Sequence, residues 1–107
     1  MIYIAAPYSD SDQTVVDNRV KRVCEYSGGL LKNGQSCVSA LTVGVSILQH
    51  TNLPTDFSFW KKLSFDLIDV CDEIHVLMLD GWDNSIGVDG EVNYGIKKGI
   101  KIKHINI

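Results

Sequence analysis

From Glu73 to Leu79 the chain reads Glu-Ile-His-Val-Leu-Met-Leu, a near-continuous apolar run typical of a strand buried on both faces. Such a strand requires a sheet with helices packed above and below it. The rest of the chain supplies matching pieces. Ile2–Ala6 is a short apolar run stopped by Pro7 and reads as a second buried strand. The polar segment Ser9–Gln13 offers Asp10 or Asp12 as a helix N-cap. Val15, Val16, Val20, Val23, Leu30 and Leu31 then recur at mostly helical spacing, up to the stop signal Asn33-Gly34. Gln35–Ala40 is a short strand candidate, and Thr42–His50 a short helix despite its β-branched residues. Asn52–Asp56 forms a loop around Pro54. Phe57–Asp72 reads as a helix with Trp60, Leu63, Leu67, Ile68 and Cys71 on one face. Asp80–Gly90, rich in Gly, Asp, Asn and Ser, reads as a loop. Val88–Lys98 is a helix ending at Gly99, with Lys97 and Lys98 at its negative end, and Ile100–Ile107 is the last strand.

The order β-α-β-α-α-β-α-β predicts an α/β fold: a single-domain, Rossmann-like (flavodoxin-like), doubly wound parallel sheet of four to five strands spanning residues 1–107. In a 2-1-3-4 strand order the first and third strands flank the point where the order reverses, and ligands bind beyond the strands' carboxyl ends there. The loops at that point would be Ala6–Asp10 and Asp80–Ser85, the two least bland stretches of the sequence.

Composition narrows the function classes. At 107 residues, 45% apolar and 21% charged, the chain supports one ordinary globular core. A net charge of −3 argues against a nucleic-acid polymer as partner, which usually needs a basic face. No apolar run approaches the roughly 18 residues of a membrane span. Met1–Pro7 lacks the basic n-region of a signal peptide. Cys24, Cys37 and Cys71 are odd in number and form no CxxC pair. They read as reduced thiols of a cytoplasmic protein rather than a disulfide or zinc framework, and no metal or cofactor is expected.

Two features of the loop after the third strand suggest chemistry. A helix begins near Gly87 or Val88, so unpaired N–H groups would face the loop; Ser85 would either add a hydroxyl to an anion site or, with Asp89, simply cap the helix. Glu91 in the first turn would either compensate the helix dipole or act as a carboxylate nucleophile at the mouth of the sheet. Asp80–Glu91 has the length of a calcium loop, but Trp82 and Ser85 occupy positions that need a carboxylate or amide and a glycine. Dinucleotide, P-loop and nucleophile-elbow motifs are absent. His75 lies in the apolar strand as a packed or edge residue. Asp66, Asp69 and Asp72 read as a solvated face or C-terminal cap region, with one of them able to reach the site if their helix borders it.

Ile2-Tyr3-Ile4-Ala5-Ala6-Pro7-Tyr8-Ser9, together with Cys71–Ser85 followed by Gly87, Val88 and Glu91, resembles the nucleoside 2-deoxyribosyltransferase-like superfamily, over almost the whole chain. The likeness is to short bacterial and phage members with a Gly-Trp-x-x-Ser-x-Gly-x-x-x-Glu loop, here Gly81 to Glu91. The resemblance implies a cleaved or exchanged N-glycosidic bond, with Glu91 as nucleophile. It implies Ser85 on a phosphate, because nucleoside 5′-monophosphate N-glycosidases carry serine where nucleoside-handling transferases carry aspartate. It further implies Tyr8 beside the nucleophile or sugar, and a substrate site among Pro7, Ser9, Asp80, Gly81, Trp82, Ser85 and Gly87. Arg19 would face a phosphate or solvent. The family aspartate that handles the leaving base is replaced by Ser64, so either Asp66, the nearest acid, or a partner subunit would supply the proton. The implied reaction is a retaining double displacement that releases free base and sugar 5-phosphate, in a homodimer or homotetramer. The alternatives are a nucleoside deoxyribosyltransferase and a non-catalytic nucleotide-binding module.

Overall fold

The computed structural model describes all 107 residues. Four parallel strands, β1 (Ile2–Ala5), β2 (Cys37–Val38), β3 (Glu73–Leu77) and β4 (Lys101–Ile105), lie in the order β2-β1-β3-β4. Helices α1 (Gln13–Lys32), α2 (Ala40–Leu48), α3 (Phe57–Ile68) and α4 (Ile86–Lys97) connect them. This is the doubly wound Rossmann-like arrangement that the alternation predicts. No helix is long and apolar enough to cross a membrane.

The register explains how the core divides. Tyr3 pairs with Ile74 and Ala5 with Val76, and these four pack on one sheet face with Ile68, Cys71 and Val88 from the α3 and α4 side. Ile2, Ile4 and Leu77 point to the other face and pack on Val23 and Leu30 of α1. Ile74 to Leu77 are all buried, as a strand covered on both faces requires. Each aliphatic side chain fully buried there contributes about 1.5–3 kcal/mol.

The helix ends follow local chemistry. Asp12 is the α1 N-cap, its Oδ1 accepting the Thr14 N–H at 2.9 Å. Past the Asn33 C-cap, Gly34 turns the chain at φ +80°. Ser39 caps α2 and also donates to the Ile4 carbonyl at 2.8 Å, fixing that helix to the carboxyl end of β1.

Several boundaries differ from the sequence reading, three of them by more than a turn or in kind. The second strand shrinks from Gln35–Ala40 to Cys37–Val38, because it is a sheet edge and Ser39 and Ala40 already begin α2. The helix predicted over Phe57–Asp72 ends at Ile68. The stretch Asp80–Gly90 is not all loop: a 3-10 turn covers Trp82–Asn84 and α4 starts at Ile86. Gly90 serves packing there, since a Cβ on it would lie 2.5 Å from the Phe57 ring.

Candidate functional site

The order reverses between β1 and β3, and the loops leaving these two strands meet there. Arg19 binds them together from below. Its guanidinium donates to the carbonyls of Tyr8 (3.3 Å), Ser9 (2.9 Å) and Asp80 (2.8 Å). Gly81 follows at φ +90°, and a Cβ there would sit 2.9 Å from Arg19 Nη2. Both the backbone conformation and the close approach require glycine.

Above this clamp a cavity of about 730 Å³ opens between the two loops, α2, the start of α3 and the start of α4. That volume is in the range of small-molecule sites. Pro7, Tyr8 and Ser9 line one side, and Gly81, Asn84, Ser85 and Gly87 another. Leu41, Val45, Leu48, Phe57 and Trp60 form an apolar wall. Ser85 is the N-cap of α4: its Oγ accepts the Val88 N–H at 3.2 Å, which leaves the hydroxyl proton free to donate. The N–H groups of Ile86 and Gly87, in the first turn, have no backbone acceptor.

Glu91 also lines the cavity and is only 7% exposed. α4 places it over β1, where the Tyr3 hydroxyl donates to Oε2. The Ala40 N–H in turn donates to Tyr3 Oη at 3.3 Å, so the phenol is held at both its proton and its lone pair. Burial pushes the Glu91 carboxyl up to about 7, against the opposing pull of hydrogen bonds from Tyr3 and Ser64. Burial and the facing carboxylate raise the Tyr3 phenol well above its ordinary value. A carboxyl poised near neutrality in a water-accessible cavity is suited to nucleophilic or general-base work.

Of the residues expected at the site, Glu91, Tyr8, Pro7, Ser9, Gly81, Ser85 and Gly87 come together on this cavity. Four do not. Asp66 is exposed and pairs with Lys62 at 2.9 Å, because two residues past the inward-facing Ser64 lies the far side of α3. Arg19 is 8% exposed; its two terminal nitrogens donate to loop carbonyls, and it borders a groove on the α1 side rather than this cavity. Asp80 offers its carbonyl to Arg19 and otherwise borders the same groove. Trp82 packs against the core and sets its ring edge-on to His104, 5.4 Å away. The other acids of α3's end are also engaged elsewhere: Asp69 accepts from Tyr94, and Asp72 pairs with the terminal amine.

Tyr3 and Asp56 are site residues that the sequence reading passed over, and Ser64 is one it noted only as the place of a missing acid. Tyr3 carries a signal in retrospect: a hydroxyl inside an aliphatic strand must find a buried partner. Ser64 carries a similar one, as a polar residue on the apolar stripe of α3.

A family profile described as a domain of unknown function, DUF1937, matches residues 1–106. No curated protein matches the chain.

Proposed function

The chain belongs to the DUF1937 family, and we propose that it is a hydrolase that cleaves the N-glycosidic bond of a nucleoside 5′-monophosphate, with a place in the nucleoside 2-deoxyribosyltransferase-like superfamily. The observation that carries this reading is Glu91: a single carboxyl, buried at a cavity on the switch point of the sheet and aimed by Tyr3. A carboxylate so placed attacks C1′ as the base departs, forming a glycosyl ester. Water then releases the sugar 5-phosphate, and Glu91 is regenerated. The free Ser85 proton and the open N–H groups of Ile86 and Gly87 favour a phosphate over a second carboxylate at the α4 N-terminus. The apolar wall of Trp60, Val45 and Leu48 suits a flat base.

The test is a chromatographic screen of the purified protein against ribo- and deoxyribonucleoside 5′-monophosphates, with matched nucleosides alongside. Free base released from monophosphates only, and lost in Glu91→Gln, is the expected result. Turnover of nucleosides only when a second base is present would make the protein a transferase. Ligand-induced thermal stabilisation without turnover of any substrate would make it a nucleotide-binding module.

A further inference from the structure

Apart from the Tyr8 phenol, an intrinsically weak acid, the cavity holds a nucleophile without a partner acid. None of the side chains that line it is lysine, arginine or histidine. Its acidic side chains are Glu91 and Asp56. Asp56 takes a hydrogen bond from Ser58 rather than from a cation, and this bond, with nearby backbone N–H groups, holds its carboxyl below the usual range. Asp56 is therefore an ionised acceptor at neutral pH and cannot hand a proton to a leaving base. Asp66, the other nearby acid of α3, points to solvent against Lys62. Ser64, buried beside Glu91, is too weak an acid to serve.

A neutral purine or pyrimidine leaves a sugar poorly unless it is protonated. A base already carrying a positive charge leaves as a neutral molecule and needs no acid. The cavity suits such a charge: it offers carboxylates, no opposing cation, and the rings of Phe57 and Trp60, whose faces attract cations. Building on the N-glycosidase reading, we propose that the substrate is a nucleoside 5′-monophosphate with a cationic base, an N-glycosylated pyridinium or an N7-alkylated purinium, recognised by Asp56, Phe57 and Trp60.

The bond changes balance without an outside reactant. A Glu91 oxygen bonds to C1′, the C1′–N bond breaks, and its electron pair neutralises the ring nitrogen. Water then bonds to C1′ as the ester C1′–O bond breaks, and the pair returns to Glu91. The extra proton of that water passes to Glu91 and on to solvent. The sum is cationic nucleotide plus water giving neutral base, sugar 5-phosphate and one proton.

The experiment compares guanosine 5′-monophosphate with N7-methylguanosine 5′-monophosphate, which differ by one methyl group and one charge. Cytidine 5′-monophosphate and nicotinamide mononucleotide are run beside them. Uncatalysed release is subtracted, and Glu91→Gln, shown to be folded by its melting curve, is the control. General acid catalysis is worth roughly 100-fold or more to a neutral base, so the charged member of a pair is expected to show kcat/KM at least about 100-fold higher. Cleavage of only the pyridinium or only the purinium would support the proposal and name the source of the charge. Equal cleavage of neutral and charged members would overturn it while the glycosidase reading stands. No cleavage of either charged member would overturn it as well, and the glycosidase reading would then stand or fall on the wider monophosphate screen.

Discussion

Glu91 shows how a residue's burial sets both its chemistry and its cost. The folded chain holds its proton more tightly than the unfolded chain does, with a pKa near 7 against an ordinary value of 4.5. Between these pH values unfolding releases a proton, so stability falls as pH rises. At about 1.4 kcal/mol for each pKa unit, ionising Glu91 in the fold costs up to about 3 kcal/mol. Glu91→Gln keeps an acceptor for Tyr3 and never ionises. Its melting temperature is expected to exceed that of the parent by several degrees at pH 8, with the difference vanishing below pH 4.5; equal melting at pH 8 would refute the assignment. Tyr3→Phe removes the donor to Glu91 and the acceptor of the Ala40 N–H. It is expected to cost about 1–3 kcal/mol by denaturant titration. It should also move the rise in activity with Glu91 ionisation to a pH above 7, measured as a kcat/KM profile. Glu91 and Ser85 were legible because a loop motif flags them. Tyr3 was hidden because a strand tyrosine looks like any core aromatic until its partner, 88 residues away, is known.

At the scale of elements, the alternation of apolar runs and helical segments decided the fold, and one-sided chemistry decided where it misled. Gly87 and Gly90 carry the statistical weight of a loop, yet both lie inside α4, and at Gly90 the Phe57 ring fills the space a Cβ would need. No local pattern distinguishes a glycine that turns the chain from one that admits a ring. Gly90→Ala would drive a methyl to 2.5 Å from Phe57 and 2.8 Å from another of its ring atoms. The expected result is a loss of about 1–3 kcal/mol in denaturant unfolding. Because Phe57 also lines the cavity, ligand affinity should fall with it. Arg19 is the complementary case, a charged residue on a helix whose role is to join two loops. Lysine has no planar fork to reach three carbonyls at once. Arg19→Lys is therefore expected to lose about 2 kcal/mol by the same measurement, since hydrogen bonds to charged groups are the stronger kind. A variant as stable as the parent would show that the clamp contributes nothing.

In the whole molecule, the cavity has a firm side and a soft side. The firm side is the carboxyl ends of β1 and β3, paired along four residues of register and joined by Arg19. The soft side is the chain from Gln49 to Asp56, where every residue is exposed. Its ties to α3 lie at its end: the Trp60 indole N–H donates to the Pro54 carbonyl at 2.7 Å, and Asp56 accepts from Ser58 and from the Phe59 and Trp60 N–H groups. Backbone with so little burial opens without unfolding the core. Native-state hydrogen exchange should therefore show the slowest amides in β1 and β3 and fast exchange across residues 51–56. Thr55 and Asp56 line the cavity, so a bound nucleotide would order this segment directly. Saturating ligand is expected to slow exchange there far more than in β1 or β3. Slowing spread evenly over the sheet would mean instead that the ligand stabilises the fold only through mass action, leaving the mouth of the site as open as before.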